Sequence, residues 1–96
     1  MSQPFKITYL GGGSSFLVPF LHGLASQAEA LKVLGRPIEL SLLDVDTRKA
    51  EPNVRYAELV ARQTGLILSA AATDDSRKAL AGSHWVIFSI GRGEDR

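Results

Sequence analysis

With 96 residues, 45% of them apolar, the chain has material for one small domain with one modest core and no room for a second. A formal net charge of +1, with neither sign gathered into a tail, excludes the electrostatic footprint of a nucleic-acid or polyanion binder. No cysteine is present and no apolar run approaches a membrane span, so disulfide staples, thiolate metal ligands and a bilayer role are excluded.

The N-terminus, Met1-Ser2-Gln3-Pro4, has no basic region followed by an apolar run, which gives the expectation of a cytoplasmic protein. Lys6-Ile7-Thr8-Tyr9-Leu10 is short, apolar and rich in strand formers, and it runs directly into three glycines. It is the predicted first strand. From residue 15 to 34, Leu17, Phe20, Leu21, Leu24, Ala28, Leu31 and Leu34 fall at steps of three and four, and Gly35-Arg36-Pro37 supplies a stop. One long amphipathic helix is predicted there, with Pro19 in its first turn, where a missing N–H costs little.

Residues 38–43 repeat the strand signature and end at Asp44-Val45-Asp46. Asp46 or Thr47 caps a first helical turn, Pro52 restarts the helix, and Gly65 closes it after Thr64. Residues 66–72 form a third apolar run. Thr73-Asp74-Asp75 then caps a short helix that ends at Ala81, with Gly82 just past its end. Residues 84–90, centred on Trp85-Val86-Ile87-Phe88, make the fourth strand.

This β-α-β-α-β-α-β order predicts an α/β fold, a Rossmann-like parallel sheet of four strands with helices on both faces, and the usual doubly wound arrangement gives it the order 3-2-1-4. It amounts to an incomplete dinucleotide-binding domain over residues 1–96. Ligand chemistry is expected in the crevice between strands one and four, above their C-terminal ends.

The main functional signal is the turn Gly11-Gly12-Gly13-Ser14-Ser15, which joins a strand to a helix. Glycines let the backbone turn sharply and approach a phosphate, while the helix N-terminus aims N–H groups and a positive dipole end at the anion. Phe16 occupies the place of the third glycine of the dinucleotide fingerprint. Asp44, at the end of the second strand, is placed to accept hydrogen bonds from ribose hydroxyls and to repel a 2′-phosphate, favouring NAD over NADP. Asp44 and Asp46 have the alternative role of capping the following helix, and Arg48 is placed to meet a 2′-phosphate should the preference be inverted.

Other candidates carry less. His22 and His84 have no carboxylate or second histidine at metal-ligand spacing. Asp74 and Asp75 match a helix cap, Ser14 and Ser15 lie outside any G-x-S-x-G elbow, Trp85 is expected in the core, and Lys49, Arg55, Glu58 and Arg62 read as solvated helix surface.

Four segments together resemble the N-terminal region of glycoside hydrolase family 4. They are the first strand with Gly11-Gly12-Gly13-Ser14-Ser15-Phe16; Leu42-Leu43-Asp44-Val45-Asp46; Ala79-Leu80-Ala81-Gly82-Ser83; and Val86-Ile87-Phe88-Ser89-Ile90-Gly91-Arg92-Gly93-Glu94. The resemblance implies binding of NAD and a divalent metal, often Mn2+, and cleavage of α- or β-glycosides, many of them 6-phosphorylated. In that family a hydride passes from C3 of the sugar to NAD, a tyrosine base removes the acidified C2 proton, and the metal stabilises the enediolate; such enzymes are exceptions to the two-carboxylate mechanism.

The family's metal ligands, a cysteine and histidines, and its tyrosine base have no counterpart in this chain, so no catalytic and no metal-binding residue is expected. The expected cofactor-binding residues are Gly11, Gly12, Gly13, Ser14, Ser15, Phe16, Asp44, Asp46 and Ile90, and a portion of a larger enzyme is the implied context. A dehydrogenase half-domain or a non-catalytic nucleotide-binding module is the alternative. An apolar outer edge on the fourth strand predicts self-association through strand pairing or element exchange.

Overall fold

A computed structural model describes residues 3–88. Strands β1 (Phe5–Leu10), β2 (Ile38–Leu43), β3 (Leu68–Thr73) and β4 (Trp85–Phe88) alternate with helices α1 (Leu17–Ser26), α2 (Ala28–Leu34), α3 (Thr47–Thr64) and α4 (Ser76–Leu80). All pairings are parallel, in the order β3-β2-β1-β4. The predicted fold class and strand order are those observed.

Register assigns the faces. Ile7 lies beside Leu40 and Trp85, and Thr8 beside Ser41 and Val86. Neighbours in a parallel sheet point the same way, so Ile7, Tyr9, Ile38, Leu40, Leu42 and Leu68 share one face. There they bury against Leu17 and Leu21 of α1, Ala28 of α2, and Ala50, Ala57 and Val60 of α3. After β3 the chain reverses direction to reach the far side of β1, and a right-handed crossover in that direction must pass over the opposite face. α4 lies there accordingly: the Thr8 hydroxyl donates to the Ala79 carbonyl at 2.6 Å, and Lys6 Nζ donates to the carbonyls of Lys78 (3.1 Å) and Ala81 (2.7 Å). Both faces carry helix, but the second has only this short one, and Ser69, Ala71, Val86 and Phe88 stay exposed.

Local departures from the sequence expectations have local causes. The predicted single helix is broken at Gln27, whose backbone leaves helical values (φ −104°, ψ 17°). Just before it, the Ser26 hydroxyl donates to the Gly23 carbonyl, a back-bond that competes with the helical ladder, and Gly23 offers no side chain to stiffen the turn. Conversely, Pro52 does not restart a helix, because α3 runs unbroken from Thr47 to Thr64. The N–H that Pro52 lacks would have bonded the Arg48 carbonyl; both residues are on the exposed side, where that carbonyl is open to solvent.

β3 begins at Leu68, later than the apolar run, since Gly65 (φ +77°) and the Leu66 amide, bonded to Thr64 Oγ1 at 3.2 Å, still complete the exit from α3. Trp85 is not a core residue. At 59% exposure it stands at the sheet edge, edge-on to Phe5 with ring centroids 5.4 Å apart, because nothing among the described residues packs beyond β4. The remainder of the predicted fourth strand, Ile90 included, lies outside the described residues.

Candidate functional site

The turn after β1 starts at Gly11, whose φ of +88° lies in the left-handed region that favours glycine. The amides of Gly11 and Gly12 both donate to the Leu43 carbonyl at 2.9 Å. A Cβ added at Gly12 would sit 2.6 Å from Leu42 Cβ, and one at Gly13 would sit 2.7 Å from Lys49 Cβ and 2.8 Å from Asp44 Oδ2. These two positions are bare so that the turn can lie flush against the end of β2 and the first turn of α3.

The turn therefore differs from a simple fan of free amides. Gly13 N–H donates to Asp44 Oδ2 at 2.8 Å, Ser14 N–H to the Gly11 carbonyl at 2.9 Å, and Phe16 N–H to Ser14 Oγ at 3.1 Å. Among the described residues the Ser15 amide has no acceptor, and it stands immediately before α1. Phe16 occupies the N-cap position of α1 without a side-chain cap, and the first turn of α1 has no acidic residue. The positive end of the helix is thus unneutralised.

Asp44 is a tie as well as a surface carboxylate. Its Oδ2 holds the Gly13 amide, its Oδ1 accepts the Asp46 amide at 3.0 Å, and its own amide donates to the Thr73 carbonyl at 3.0 Å. Each oxygen keeps a lone pair, since a carboxylate offers about four acceptor directions. Asp46 caps α3, accepting the Arg48 amide at 3.1 Å and its guanidinium at 3.2 Å. The Arg48 side chain holds the Asp46 carboxyl below the ordinary aspartate range.

Above the C-terminal ends of β1 and β2 lies an open cleft of about 410 Å³, lined by Leu10, Gly11, Leu43, Asp44, Val45, Asp74 and Ser76. The fold thus brings Asp44 directly onto the glycine turn and opens a cleft beside both. Asp46 is turned to Arg48, Phe16 is half-exposed at the foot of α1, and Ile90 lies outside the described residues.

The remaining candidates are structural. Asp75 caps α4 through the amides of Arg77 (3.0 Å) and Lys78 (3.2 Å). His22 pairs with Tyr56 across α1 and α3, and His84 Nδ1 accepts the Lys6 amide while its ring stacks on Phe5.

One residue of the site escapes the sequence reading. Asn53 of α3 donates through Nδ2 to the carbonyls of Gly12 (2.7 Å) and Ser14 (3.1 Å), clamping the turn from the side opposite Asp44. Its signal is faint but present: a polar residue and poor helix former falls on the same stripe as buried Ala50 and Ala57, at steps of three and four.

The family model "Family 4 glycosyl hydrolase" matches residues 6–96. No curated protein matches the chain. In fold it is similar to a 6-phospho-alpha-glucosidase from gut microorganisms solved with NAD and Mn2+, at a TM-score of 0.72 and 19% identity over 94% of this chain. It is also similar to the 6-phospho-beta glucosidase of Thermotoga maritima solved with NAD and glucose-6-phosphate, at a TM-score of 0.70 and 23% identity over 93% of this chain. The chain spans 20% of the length of each.

Proposed function

The chain belongs to family 4 of the glycosyl hydrolases, and from that membership we propose that it is the N-terminal NAD-binding unit of an enzyme that hydrolyses O-glycosidic bonds by a redox-elimination route. The observation that carries the proposal is the glycine turn. It leads from the C-terminal end of β1 into an uncapped helix, at the point where the strand order reverses, beside an open cleft.

In this proposal the residues divide the cofactor between them. The turn from Gly11 to Phe16, with the Ser15 amide and the foot of α1, takes the pyrophosphate. Asp44 accepts the ribose hydroxyls on its remaining lone pairs and disfavours a 2′-phosphate, and the cleft from Leu10 to Ser76 receives the rest of the adenosine. Asp46 supports this arrangement by fixing the start of α3. Ile90 belongs to the same proposed set. Bound NAD supplies a hydride acceptor, and the chain's own part is to hold it with its phosphates neutralised.

No group of three or more His, Asp or Glu side chains that could hold a metal ion comes together among the described residues. The proposed enzyme chemistry belongs to the complete family member. No helix of the described residues is long and apolar enough to cross a membrane. We further propose that the chain self-associates through β4, whose Trp85, Val86 and Phe88 are exposed on an unpaired strand edge.

Isothermal titration of the chain with NAD tests the cofactor assignment. Saturable binding, weaker for NADP than for NAD, is the expected result; no heat at millimolar NAD sinks it.

A further inference from the structure

We infer that Asn53 is a positioning residue: by gripping the carbonyls of Gly12 and Ser14 it turns the Ser15 amide outward as the donor for an anionic phosphate linkage, a role that rests on the dinucleotide proposal above. The grip is bidentate. One side-chain NH2 supplies a hydrogen to each carbonyl, at 2.7 and 3.1 Å, across 41 and 39 residues of sequence. Both neighbours are carbonyl oxygens, which only the NH2 end of the amide can satisfy.

Peptide geometry converts this grip into a direction. In a trans peptide the carbonyl of one residue and the N–H of the next point opposite ways, and no described peptide bond is cis. Drawing the Gly12 carbonyl to α3 turns the Gly13 N–H away from Asn53, where the Asp44 carboxylate receives it. Drawing the Ser14 carbonyl to α3 turns the Ser15 N–H away in the same manner. The Ser14 carbonyl also accepts the Leu17 amide at 3.2 Å, so it points along α1 and the Ser15 N–H points off the N-terminal end of that helix. The amides of Gly11, Gly12, Gly13 and Ser14 are committed within the fold, whereas that of Ser15 has no acceptor among the described residues. An anion at the foot of α1 therefore meets the donor that Asn53 orients.

The chemistry of the side chain is specific. Alanine would release both carbonyls and let the two peptides swing. Aspartate, of equal size, would set a carboxylate against two carbonyl oxygens and beside the incoming phosphates.

The test uses the full chain with two probes, ADP-ribose, which carries the pyrophosphate, and adenosine, which carries no phosphate. Asn53→Ala is expected to weaken ADP-ribose binding about tenfold, the worth of one charge-assisted hydrogen bond, and Asn53→Asp more, with adenosine binding little changed. In 15N-labelled wild type the Ser15 amide resonance should shift on adding ADP-ribose and stay in place on adding adenosine, a readout that holds even if a variant fails to fold. Wild-type binding by both variants, a Ser15 resonance indifferent to ADP-ribose, or equal losses for both probes would overturn the role of Asn53 while the dinucleotide proposal stands. A wild-type chain that binds no ADP-ribose removes both.

Discussion

The two faces of the sheet are built on different principles. On one, Leu40 and Leu42 are wholly buried, and the core they share with α1 and α3 is apolar. On the other, the only helix among the described residues is α4, and what holds it is polar: the Thr8 hydroxyl on the Ala79 carbonyl and on Ser83 Oγ, and Lys6 on the last carbonyls of the helix. Apolar burial on the first face scales with area, while the polar contacts on the second each contribute little net energy but fix one position. The first face supplies stability. The second supplies placement, setting the start of α4 at the rim of the cleft beside Asp44.

Substitutions that probe each face separately would break or sharpen this contrast. The largest effect is expected from Leu40→Ala, which leaves a cavity in the closed face and should cost about 2–5 kcal/mol in urea denaturation. A loss below about 1 kcal/mol would mean that the covered face relaxes freely and is no core. Thr8→Val keeps the shape but removes the hydroxyl from Ala79, which retains a donor in Ser83 Oγ at 3.2 Å, so a loss of about 1 kcal/mol is expected in the same assay. A loss matching that of Leu40→Ala would make the α4 face an equal partner in stability. The smallest effect on folding belongs to Val86→Lys, on the exposed part of the second face, within about 0.5 kcal/mol of wild type. The same substitution should abolish concentration-dependent association in sedimentation, because a lysine guards a strand edge. A wild-type chain that sediments as a monomer at high concentration defeats the proposed self-association.

Much of the architecture was legible in the chain itself. The strand signature of residues 38–43 matches the bounds of β2, a short helix capped within Thr73-Asp74-Asp75 is expected and α4 takes Asp75 as its cap, and the strand order is that of the usual doubly wound arrangement. The errors cluster where local signals were ambiguous in strength. Pro52 looked like a boundary, yet α3 absorbs it on its solvent side. The apolar spacing from residue 15 to 34 is continuous, yet Gly23 and Ser26 mark a break before Gln27. Trp85 is expected in the core but is exposed, because exposure at an edge depends on whether another element lies beyond it.

At the candidate site the division is sharper. Gly11-Gly12-Gly13 announced a tight strand-to-helix turn, and Asp44 announced a carboxylate at the neighbouring strand end. That Gly13 donates to Asp44 itself, and that the amides of Gly11 and Gly12 are spent on Leu43, was invisible because it depends on the register between β1 and β2. Asn53 was hidden for a related reason, since its partners lie 41 and 39 residues away.

The sequence by itself determined the order of elements, the parallel sheet and the place of the glycine turn, because periodicity, caps and glycine conformations act over a few neighbouring residues. Only the tertiary structure decided which of the turn's amides are consumed and which has no acceptor among the described residues. That choice is made by hydrogen bonds between residues brought within 3 Å of one another by the packing of β1, β2 and α3, and no local pattern encodes a distance of that kind.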